Sequence, residues 1–465
     1  MAYTTIDDPT KYFNTVTYTG NGASSHAITG VGQQPDWVWI KRRDSAVNHL
    51  LHDSVRGVTK LLVSNTNAGD DVNSNIFLGF DSDGFRVGAN SASNVSSGTF
   101  VSWNWKAGGT APAITYSVKV VSVSGNKYRF DDFGTSAVTL ELQEGGTYTF
   151  DQSDSSNSGH PLRFYTASDK SGGEYTTGVT TSGTAGSSGA KTVITVAASA
   201  PTLYYQCSNH AGMGGQANTN STHGSSNFSG SIQSTVSANT TAGFSIVSYT
   251  GTGSNATVGH GLSVAPAVMI FKNRDNTATT WDWAVYHHKL NSSPQDKNLR
   301  LNTTEAVNDK AEFLNDTAPT SSVFTAGTWG SINYNGDKYI AYLFSEKKGF
   351  SKFGSYTGNG DADGIFVYTG FKPSMIIRKI SSTTGGWLIH DSTRTPFNGL
   401  NSNTNGLRPN SSEAEFDFFD IDYLSNGFKL RTSEANHNTS GATYIYMAFA
   451  ESPFVNSKGI PTNAR

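Results

Sequence analysis

The segment Tyr18-Thr19-Gly20-Asn21-Gly22 recurs as Tyr249-Thr250-Gly251-Thr252-Gly253 and again as Tyr356-Thr357-Gly358-Asn359-Gly360. We name the three regions that these segments open copy 1, copy 2 and copy 3. Each opening is followed by a proline and then by an apolar run: Trp37-Val38-Trp39-Ile40-Lys41, Val268-Met269-Ile270-Phe271-Lys272 and Met375-Ile376-Ile377-Arg378-Lys379. Ordered repetition of this kind predicts one structural unit per copy.

A later shared run is nearly identical in two of the copies. Copy 1 has Leu50-Leu51-His52-Asp53-Ser54-Val55-Arg56 and copy 3 has Leu388-Ile389-His390-Asp391-Ser392-Thr393-Arg394, whereas copy 2 has Trp283-Ala284-Val285-Tyr286-His287. Each copy then closes on an aromatic run, at 100–105, 339–344 and 444–449. Units of about 100 residues with short strands and Gly/Asn turns are typical of β-sandwiches and jelly rolls. We expect each copy to own a core.

Composition excludes several classes of protein. Only 15% of the 465 residues are charged, against a usual fraction of about 25%. The net charge of −3 without a basic cluster argues against nucleic-acid binding. No apolar run is long enough for membrane insertion, and the first residues predict no cleaved export signal. A single cysteine rules out an intrachain disulfide.

The three opening segments, together with two further segments, resemble the sequences of a known protein family. These are Gly370-Phe371-Lys372-Pro373 and the closing Tyr444-Ile445-Tyr446-Met447-Ala448-Phe449-Ala450-Glu451-Ser452-Pro453-Phe454. Together they resemble the repeated β-sandwich domains of marine bacteriophage structural proteins, particularly those of cyanophages. The resemblance implies a component of the virion, with concanavalin-like or jelly-roll sandwiches as the fold.

Residues from about 113 to 236, which we name the insert, interrupt the repeat. An aromatic strand, Leu203-Tyr204-Tyr205-Gln206, leads into Cys207-Ser208-Asn209-His210-Ala211-Gly212-Met213. This loop resembles the ligand loop of cupredoxins, and the resemblance implies a Greek-key sandwich that binds copper through His160, Cys207, His210 and Met213. A blue-copper centre uses two imidazoles and a thiolate in a plane, with a weak axial thioether. Donors from one short loop and one remote histidine can converge on a single ion.

Other interpretations of these residues remain open. Pro161 follows His160, where blue-copper proteins commonly have an asparagine. The long segment from Gly172 to Lys191 also separates the two halves of the site in the sequence. Cys207 and Met213 are alternatively ordinary core residues, or the site takes a different metal. A bound copper ion would also serve as a structural staple, because binding to the folded state adds to its stability.

Two further groups of residues have candidate roles. His52-Asp53-Ser54 and His390-Asp391-Ser392 contain the residue types of a catalytic triad. Neighbours along an extended strand point to opposite faces, so we expect packing rather than catalysis there. Four tryptophans are candidates for sugar platforms or, more simply, for core or interface positions: Trp281, Trp283, Trp329 and Trp387.

We therefore expect an all-β chain of tandem β-sandwiches at 1–110, 240–350 and 351–465, interrupted by a cupredoxin-like domain at 113–236. The expected function is non-enzymatic: a bacteriophage tail fibre or appendage that attaches to the host surface. The alternatives are a capsid decoration or head-fibre protein and, in another class, a copper redox protein. Expected partners are identical chains in a homotrimer, other virion proteins, and a host-surface glycan or receptor.

Overall fold

The structure is a computed structural model that describes residues 3–275, 281–396, 398, 404–418 and 421–462. Strands dominate it and lie in several separate sheets, so the predicted all-β fold of multiple sandwiches is confirmed. Within the described residues, the helical segments are single turns: α1 (Ser91–Asn94), α2 (Gly330–Asn333), α3 (Ala435–Asn438) and the 3₁₀ turns Pro9–Lys11, Ser155–Asn157 and Pro294–Asp296. In this part of the chain, no helix is long and apolar enough to span a bilayer.

Copy 1 consists of two antiparallel sheets that enclose a core. Its strands are β1 (Phe13–Thr19), β2 (His26–Ile28), β3 (Trp37–Arg42), β4 (Leu50–Asp53), β5 (Lys60–Val63), β6 (Asp71–Val72), β7 (Phe77–Asp81), β8 (Gly84–Val87) and β9 (Thr99–Trp105). The larger sheet has the order β1-β9-β3-β4-β5-β6 and the smaller has the order β2-β8-β7. Val38 and Ile40 from the larger sheet pack against Phe85 and Val87 from the smaller one.

The insert forms a sandwich of its own. Its strands are β10 (Ala113–Ser122), β11 (Asn126–Phe130), β12 (Leu140–Gln143), β13 (Thr147–Asp151), β14 (Leu162–Tyr165), β15 (Val179–Ser182), β16 (Lys191–Thr195), β17 (Leu203–Cys207) and β18 (Gln216–Asn220). One sheet has the order β11-β10-β13-β16-β15 and the other β12-β18-β17-β14. Buried aromatic side chains, among them Phe130, Phe150 and Tyr205, fill the space between the two sheets.

Copy 2 receives two strands from the end of the insert, β19 (Ser225–Asn227) and β20 (Ser234–Asn239). Its other strands are β21 (Phe244–Thr250), β22 (Ala256–Gly259), β23 (Val268–Asn273), β24 (Ala284–His287), β25 (Lys297–Arg300), β26 (Asn308–Asp309), β27 (Val323–Ala326) and β28 (Lys338–Phe344). The larger sheet has the order β19-β20-β21-β28-β23-β24-β25-β26, and β22 pairs with β27. The core between them contains Met269, Phe271 and Phe324.

Copy 3 repeats the arrangement with nine strands. They are β29 (Ser351–Thr357), β30 (Phe366–Tyr368), β31 (Phe371–Ile380), β32 (Trp387–Asp391), β33 (Thr404–Gly406), β34 (Phe416–Phe418), β35 (Ile421–Leu424), β36 (Gly427–Leu430) and β37 (Thr443–Pro453). The main sheet has the order β29-β37-β31-β32, and β30-β36-β35 forms the smaller one. Ile376, Phe428 and Tyr446 lie in its core.

The repeated opening segment forms the same corner in each copy. In copy 1, the Asn94 Oδ1 atom accepts a hydrogen bond from the Asn21 amide at 2.9 Å. The Asn94 carbonyl accepts another from the Gly22 amide, also at 2.9 Å. Asn333 and Asn438, the last residues of α2 and α3, make both bonds in copies 2 and 3. Each corner is therefore held by a buried asparagine that sequence reasoning had not singled out.

The same geometry explains the two glycines of the opening segment. A Cβ atom on Gly20 would lie 2.1 Å from the Val95 carbonyl oxygen, which is closer than atoms can approach. Gly22 has a φ of 71°, in the left-handed region that glycine adopts without strain. The equivalent glycines of copies 2 and 3 meet the same two constraints.

A further core, which we name the shared core, lies between the copies and contains residues of all three. It contains Trp37 and Trp105 of copy 1, Tyr342 and Phe344 of copy 2, and Phe449 of copy 3. The rings of Trp37 and Tyr342 are stacked with centroids 4.2 Å apart. Each main sheet therefore buries both faces: one against the small sheet of its own copy, and the other against the neighbouring copies. The copies own cores, as expected, but they are not independent units in series.

Equivalent contacts join the copies in cyclic order. Asp53, His287 and Asp391 occupy equivalent positions in the three copies. Each lies directly opposite the first residue of the apolar run that the copies share, in β3, β23 and β31 respectively. Each of these residues forms a hydrogen bond with the next copy. Tyr342 OH of copy 2 donates to Asp53 at 2.7 Å, and His287 Nε2 donates to the Tyr446 carbonyl of copy 3 at 3.1 Å. Trp103 Nε1 of copy 1 donates to Asp391 at 3.1 Å.

Main-chain hydrogen bonds follow the same cycle. Three amides donate to three carbonyls at equivalent positions in the next copy: Asp70 to Arg274 at 2.6 Å, Val307 to Ser381 at 2.9 Å, and Glu415 to Arg43 at 2.8 Å. Because copy 3 bonds back to copy 1, the three copies form a closed ring with approximate threefold symmetry within one chain.

Candidate metal centre

The predicted ligands lie at one end of the insert, where two neighbouring strands meet. Cys207 is the last residue of β17, and Leu162 of β14 lies directly opposite it. His160 precedes β14 by two residues and so emerges at the same end of the sheet. His210 follows Cys207 in the loop that leaves β17. The antiparallel pairing therefore brings together residues that are 47 positions apart in the chain.

Three of the four predicted donors converge on one point. The Cys207 Sγ atom lies 3.8 Å from His160 Nδ1 and 3.5 Å from His210 Nδ1. Within the residues that the structure describes, this is the one group of three or more His, Cys, Asp or Glu donors that lie within 4.8 Å of one another. Sulfur and nitrogen atoms bound to one ion by bonds of about 2.0–2.3 Å lie roughly 3.5–3.8 Å apart. The donor set therefore fits a single thiophilic metal ion.

Burial gives the centre one closed side and one open side. Cys207 is fully buried, His160 is half-buried and His210 is exposed. Burial, and then the neighbouring His210, lower the pKa of His160. The imidazole of His160 is therefore neutral at physiological pH, which is the form that binds metals.

Met213 is placed in the hydrophobic core of the insert, which also contains Cys207. Its side chain is buried, and its carbonyl accepts a hydrogen bond from the Tyr128 amide at 2.9 Å. The main chain of the ligand loop is thus tied to β11 at this point. The role of the Met213 thioether as an axial ligand stays a prediction.

The main chain around His160 is held by residues that sequence reasoning had missed. Gln152 donates to the His160 carbonyl at 2.9 Å and accepts from the Leu162 amide at 2.9 Å. The Tyr128 hydroxyl donates to the same carbonyl at 2.8 Å. The segment around Pro161 is thereby fixed against the sandwich.

Two lysines brace the ligand loop. Lys170 Nζ donates to the carbonyls of Cys207 and Ser208, both at 3.2 Å, and Lys127 Nζ donates to the Gly212 carbonyl. Lys170 adopts a φ of 68°, which is uncommon for a residue other than glycine and is found where surrounding structure imposes it. The sequence does not reveal these two lysines as partners of the ligand loop, because Lys127 lies in a hairpin and Lys170 in a distant turn.

Asn209, within the ligand loop itself, makes a third link. Its side chain donates to the Gly159 carbonyl at 3.0 Å. The adjacent Ser208 amide donates to the Pro161 carbonyl, also at 3.0 Å. Asn209 and Pro161 thus join the two halves of the centre, where the resemblance had led us to look for an asparagine after His160.

The His-Asp-Ser segments lie apart from this centre and form no relay. His52 points into the core of copy 1, where its ring stacks on Phe77 at 4.6 Å. Asp53 points the other way, into the shared core, where it accepts hydrogen bonds from Arg56 and Tyr342. This is the alternation that an extended strand imposes.

The tryptophans separate into two groups. Trp283 and Trp387 are buried in the shared core. Trp283 Nε1 donates to the Val63 carbonyl at 3.0 Å and Trp387 Nε1 to the Arg300 carbonyl at 2.9 Å, in each case across a contact between copies. Their interpretation as sugar platforms is therefore wrong. Trp281 and Trp329 are half-buried near the surface of copy 2.

The fold and the centre define an all-β protein: a closed ring of three related sandwiches that carries an inserted sandwich with a candidate metal site. The chain belongs to the family described as Domain of unknown function (DUF7483), which it matches over residues 8–139 and 215–453. The match leaves out 140–214, where His160, Cys207, His210 and Met213 lie. No curated protein and no solved structure matches the chain.

Proposed function

We propose that the chain is a structural component of a bacteriophage particle, and that it serves as a tail appendage that attaches to the host surface. The observation that carries this proposal is the closed ring of three copies. Contacts at every junction hold the copies in a fixed arrangement, and their loops project from this rigid scaffold. Rigid scaffolds with peripheral loops suit surface recognition. The resemblance of the repeats to phage structural proteins supports the same assignment.

Particle location and host binding test the proposal. Antibodies against the chain, used for immunogold labelling of purified phage particles, should mark the tail region. Fluorescently labelled protein should bind host cells and leave non-host cells unlabelled. Labelling confined to the capsid would favour the alternative of a decoration or head-fibre protein, and absence of both labels would contradict a virion role.

We propose as a second function that the insert binds copper. This proposal is carried by the convergence of the Cys207 thiol and the two Nδ1 atoms of His160 and His210. A bound copper ion would supply one-electron exchange or, without exchange, a structural crosslink. His160 and Cys207 would hold the ion on the buried side of the centre, while the exposed ring of His210 would give it contact with solvent. Zinc is the competing ion, because it takes the same donors.

Metal analysis with an absorption spectrum tests the second function. Protein loaded with Cu²⁺ should bind one ion per chain and show an intense visible band from the copper–thiolate bond. The Cys207→Ser variant should lose the band, while His26→Gln, a change at a half-buried histidine in copy 1, should keep it. A colourless protein that retains only zinc would show that the site is not a copper centre.

A further inference from the structure

We propose that the three corners together form the receptor-facing surface, and that their partner is an uncharged surface polysaccharide. This inference rests on the attachment function proposed above and assigns that function to one end of the ring. We define the corner surface as the turns 20–25, 251–255 and 358–363 with the adjoining loops 95–97, 334–336 and 439–441. The opening segments that build it are the most closely repeated feature of the chain. Their turn residues nevertheless lie outside the core of each copy and outside the shared core.

The corners lie at the same end of the ring. Each turn follows the first strand of its copy, and these strands pair in register with the last strands: β1 with β9, β21 with β28, and β29 with β37. Because equivalent residues make equivalent contacts around the cycle, rotation about the ring axis brings one corner onto the next. Three similar surfaces thus face the same direction.

The links between copies lie at the opposite end of these strands. The chain leaves copy 1 through 106–112, directly after β9, and passes from copy 2 to copy 3 through 345–350, directly after β28. The turn 240–243, which leads into copy 2, lies at that end too. None of these described links crosses the corner surface.

The turns of the corner surface are exposed, polar and nearly uncharged. Residues 21–25, 252–255 and 359–363 are all exposed. Asn, Ser, Thr, Gly and Ala make up these runs apart from Asp361 and Asp363. Asp363 is paired with Lys429 at 3.1 Å and Arg431 at 2.8 Å. Such a surface offers neutral hydrogen-bond donors and acceptors, and it lacks the cationic cluster that a polyanion needs.

One corner also presents an aromatic ring. Tyr334 is 53% exposed and lies beside the half-buried Trp281, with ring centroids 6.3 Å apart. The Gly336 amide donates to the Gly251 carbonyl at 2.9 Å, which ties the loop of Tyr334 to the turn of copy 2. An amphipathic tyrosine suits a ligand with apolar C–H faces and hydroxyl edges, and a sugar ring is such a ligand.

Three corners favour a repeating ligand. A single shallow loop pair buries little surface and binds weakly. When three such sites face one polymer, each later contact is intramolecular, and avidity can exceed the single-site affinity by about 10²–10⁴-fold. A polysaccharide with repeated neutral units can occupy all three corners at once.

Binding to immobilised polysaccharides tests the inference on the full chain. The probes are dextran, mannan and galactan as neutral polymers, with dextran sulfate as the charged comparison, measured by biolayer interferometry. We expect at least one neutral polymer to bind, and we expect Tyr334→Ala and Ser24→Arg each to weaken binding tenfold or more. The matched controls are Tyr368→Ala, a 56% exposed tyrosine away from the corner surface, and Ser188→Arg, an exposed serine of the insert.

The outcomes separate this inference from the attachment function. Loss of binding in the control variants instead of the corner variants, or binding to dextran sulfate alone, would overturn the inference. Binding to host cells that is unchanged in Tyr334→Ala and Ser24→Arg would also overturn it and would leave the attachment function intact. Failure of the wild-type protein to bind either host cells or any polymer would contradict both.

Discussion

At the scale of single residues, Asp53 shows how the ring is held together. Its side chain is fully buried and accepts hydrogen bonds from Arg56 Nε at 2.5 Å and from Tyr342 OH of copy 2 at 2.7 Å. Removing one partner of a buried ion pair typically costs about 3–5 kcal/mol, but Arg56 keeps a second partner in Asp70 at 2.9 Å. We therefore expect Asp53→Ala to lower the free energy of unfolding by about 3 kcal/mol, the lower end of that range, in urea titrations.

A surface ion pair provides the control for this prediction. Asp309 pairs with Lys297 but is largely exposed, and exposed pairs contribute at most about 1 kcal/mol. Asp309→Ala should therefore leave the midpoint of unfolding nearly unchanged. Equal effects of the two substitutions would show that Asp53 does not stabilise the contact between copies.

His52 predicts how stability depends on pH. Burial, and then the nearby Arg56, lower its pKa to about 3 in the folded chain, whereas an unfolded histidine has a pKa of about 6.5. Between these values the unfolded chain binds a proton that the folded chain does not, so stability falls as pH falls below about 6.5. The expected slope is about 1.4 kcal/mol per pH unit for this group. His52→Phe should flatten the pH profile of unfolding by that slope, and an unchanged profile would contradict the assignment.

Lys170 is expected to act on the metal centre through the main chain. Replacing it with methionine removes both hydrogen bonds to the carbonyls of Cys207 and Ser208. Loss of an outer partner typically costs 10–100-fold in metal affinity, and we expect Lys170→Met to weaken metal binding within that range. Competition with a chelator measures the affinity, and thiol labelling of the metal-free protein should show faster modification of Cys207. Lys191→Met, at an exposed position on β16, should change neither quantity.

At the scale of elements, the corners show what the sequence could predict and what it could not. The repeated glycines could be recognised because Gly20 and Gly22 meet constraints that exclude side chains. The asparagines that hold the corners went unnoticed, because a single Asn near a short helix has no distinctive spacing. The metal centre divides in the same way: Cys207 and His210 are close in sequence, whereas the bracing Lys170 becomes their neighbour only after folding.

The corner itself yields a prediction for an element. Gly20→Ala places a Cβ atom against the Val95 carbonyl, so the turn must move away from α1 and lose the bonds to Asn94. We expect a loss of stability of about 1–3 kcal/mol, together with faster hydrogen exchange at the amides of Asn21 and Gly22. Gly109→Ala is the control for a general effect of substitution, since a Cβ there meets no atom within 4 Å, although its φ of 74° adds some strain. Unaltered exchange in Gly20→Ala would contradict the account of the corner.

At the scale of the whole molecule, the shared core is the feature that repeat analysis missed. The run Trp37-Val38-Trp39-Ile40 is apolar on both faces, which is typical of a fully buried strand. Apolar side chains do not specify what covers them, and either a second sheet or a neighbouring copy would satisfy the pattern. The domains therefore resembled units in series, whereas the folded chain closes them into a ring. The predicted homotrimer stays a prediction, and light scattering on the purified protein tests it.

A closed ring should transmit a local loss of stability to every copy. Asp391→Ala removes the hydrogen-bond partner of Trp103 at the junction of copies 3 and 1. Because the shared core includes residues from all three copies, the free energy of local opening should then fall in copy 2 as well. Native-state hydrogen exchange measures this directly: amides in β23 and β28 should exchange faster in the variant by a factor similar to that for β31 and β37. Sandwiches that were independent would confine the change to copies 3 and 1. Unchanged protection in copy 2, with reduced protection in copy 3, would show that the ring does not unfold as a single cooperative unit.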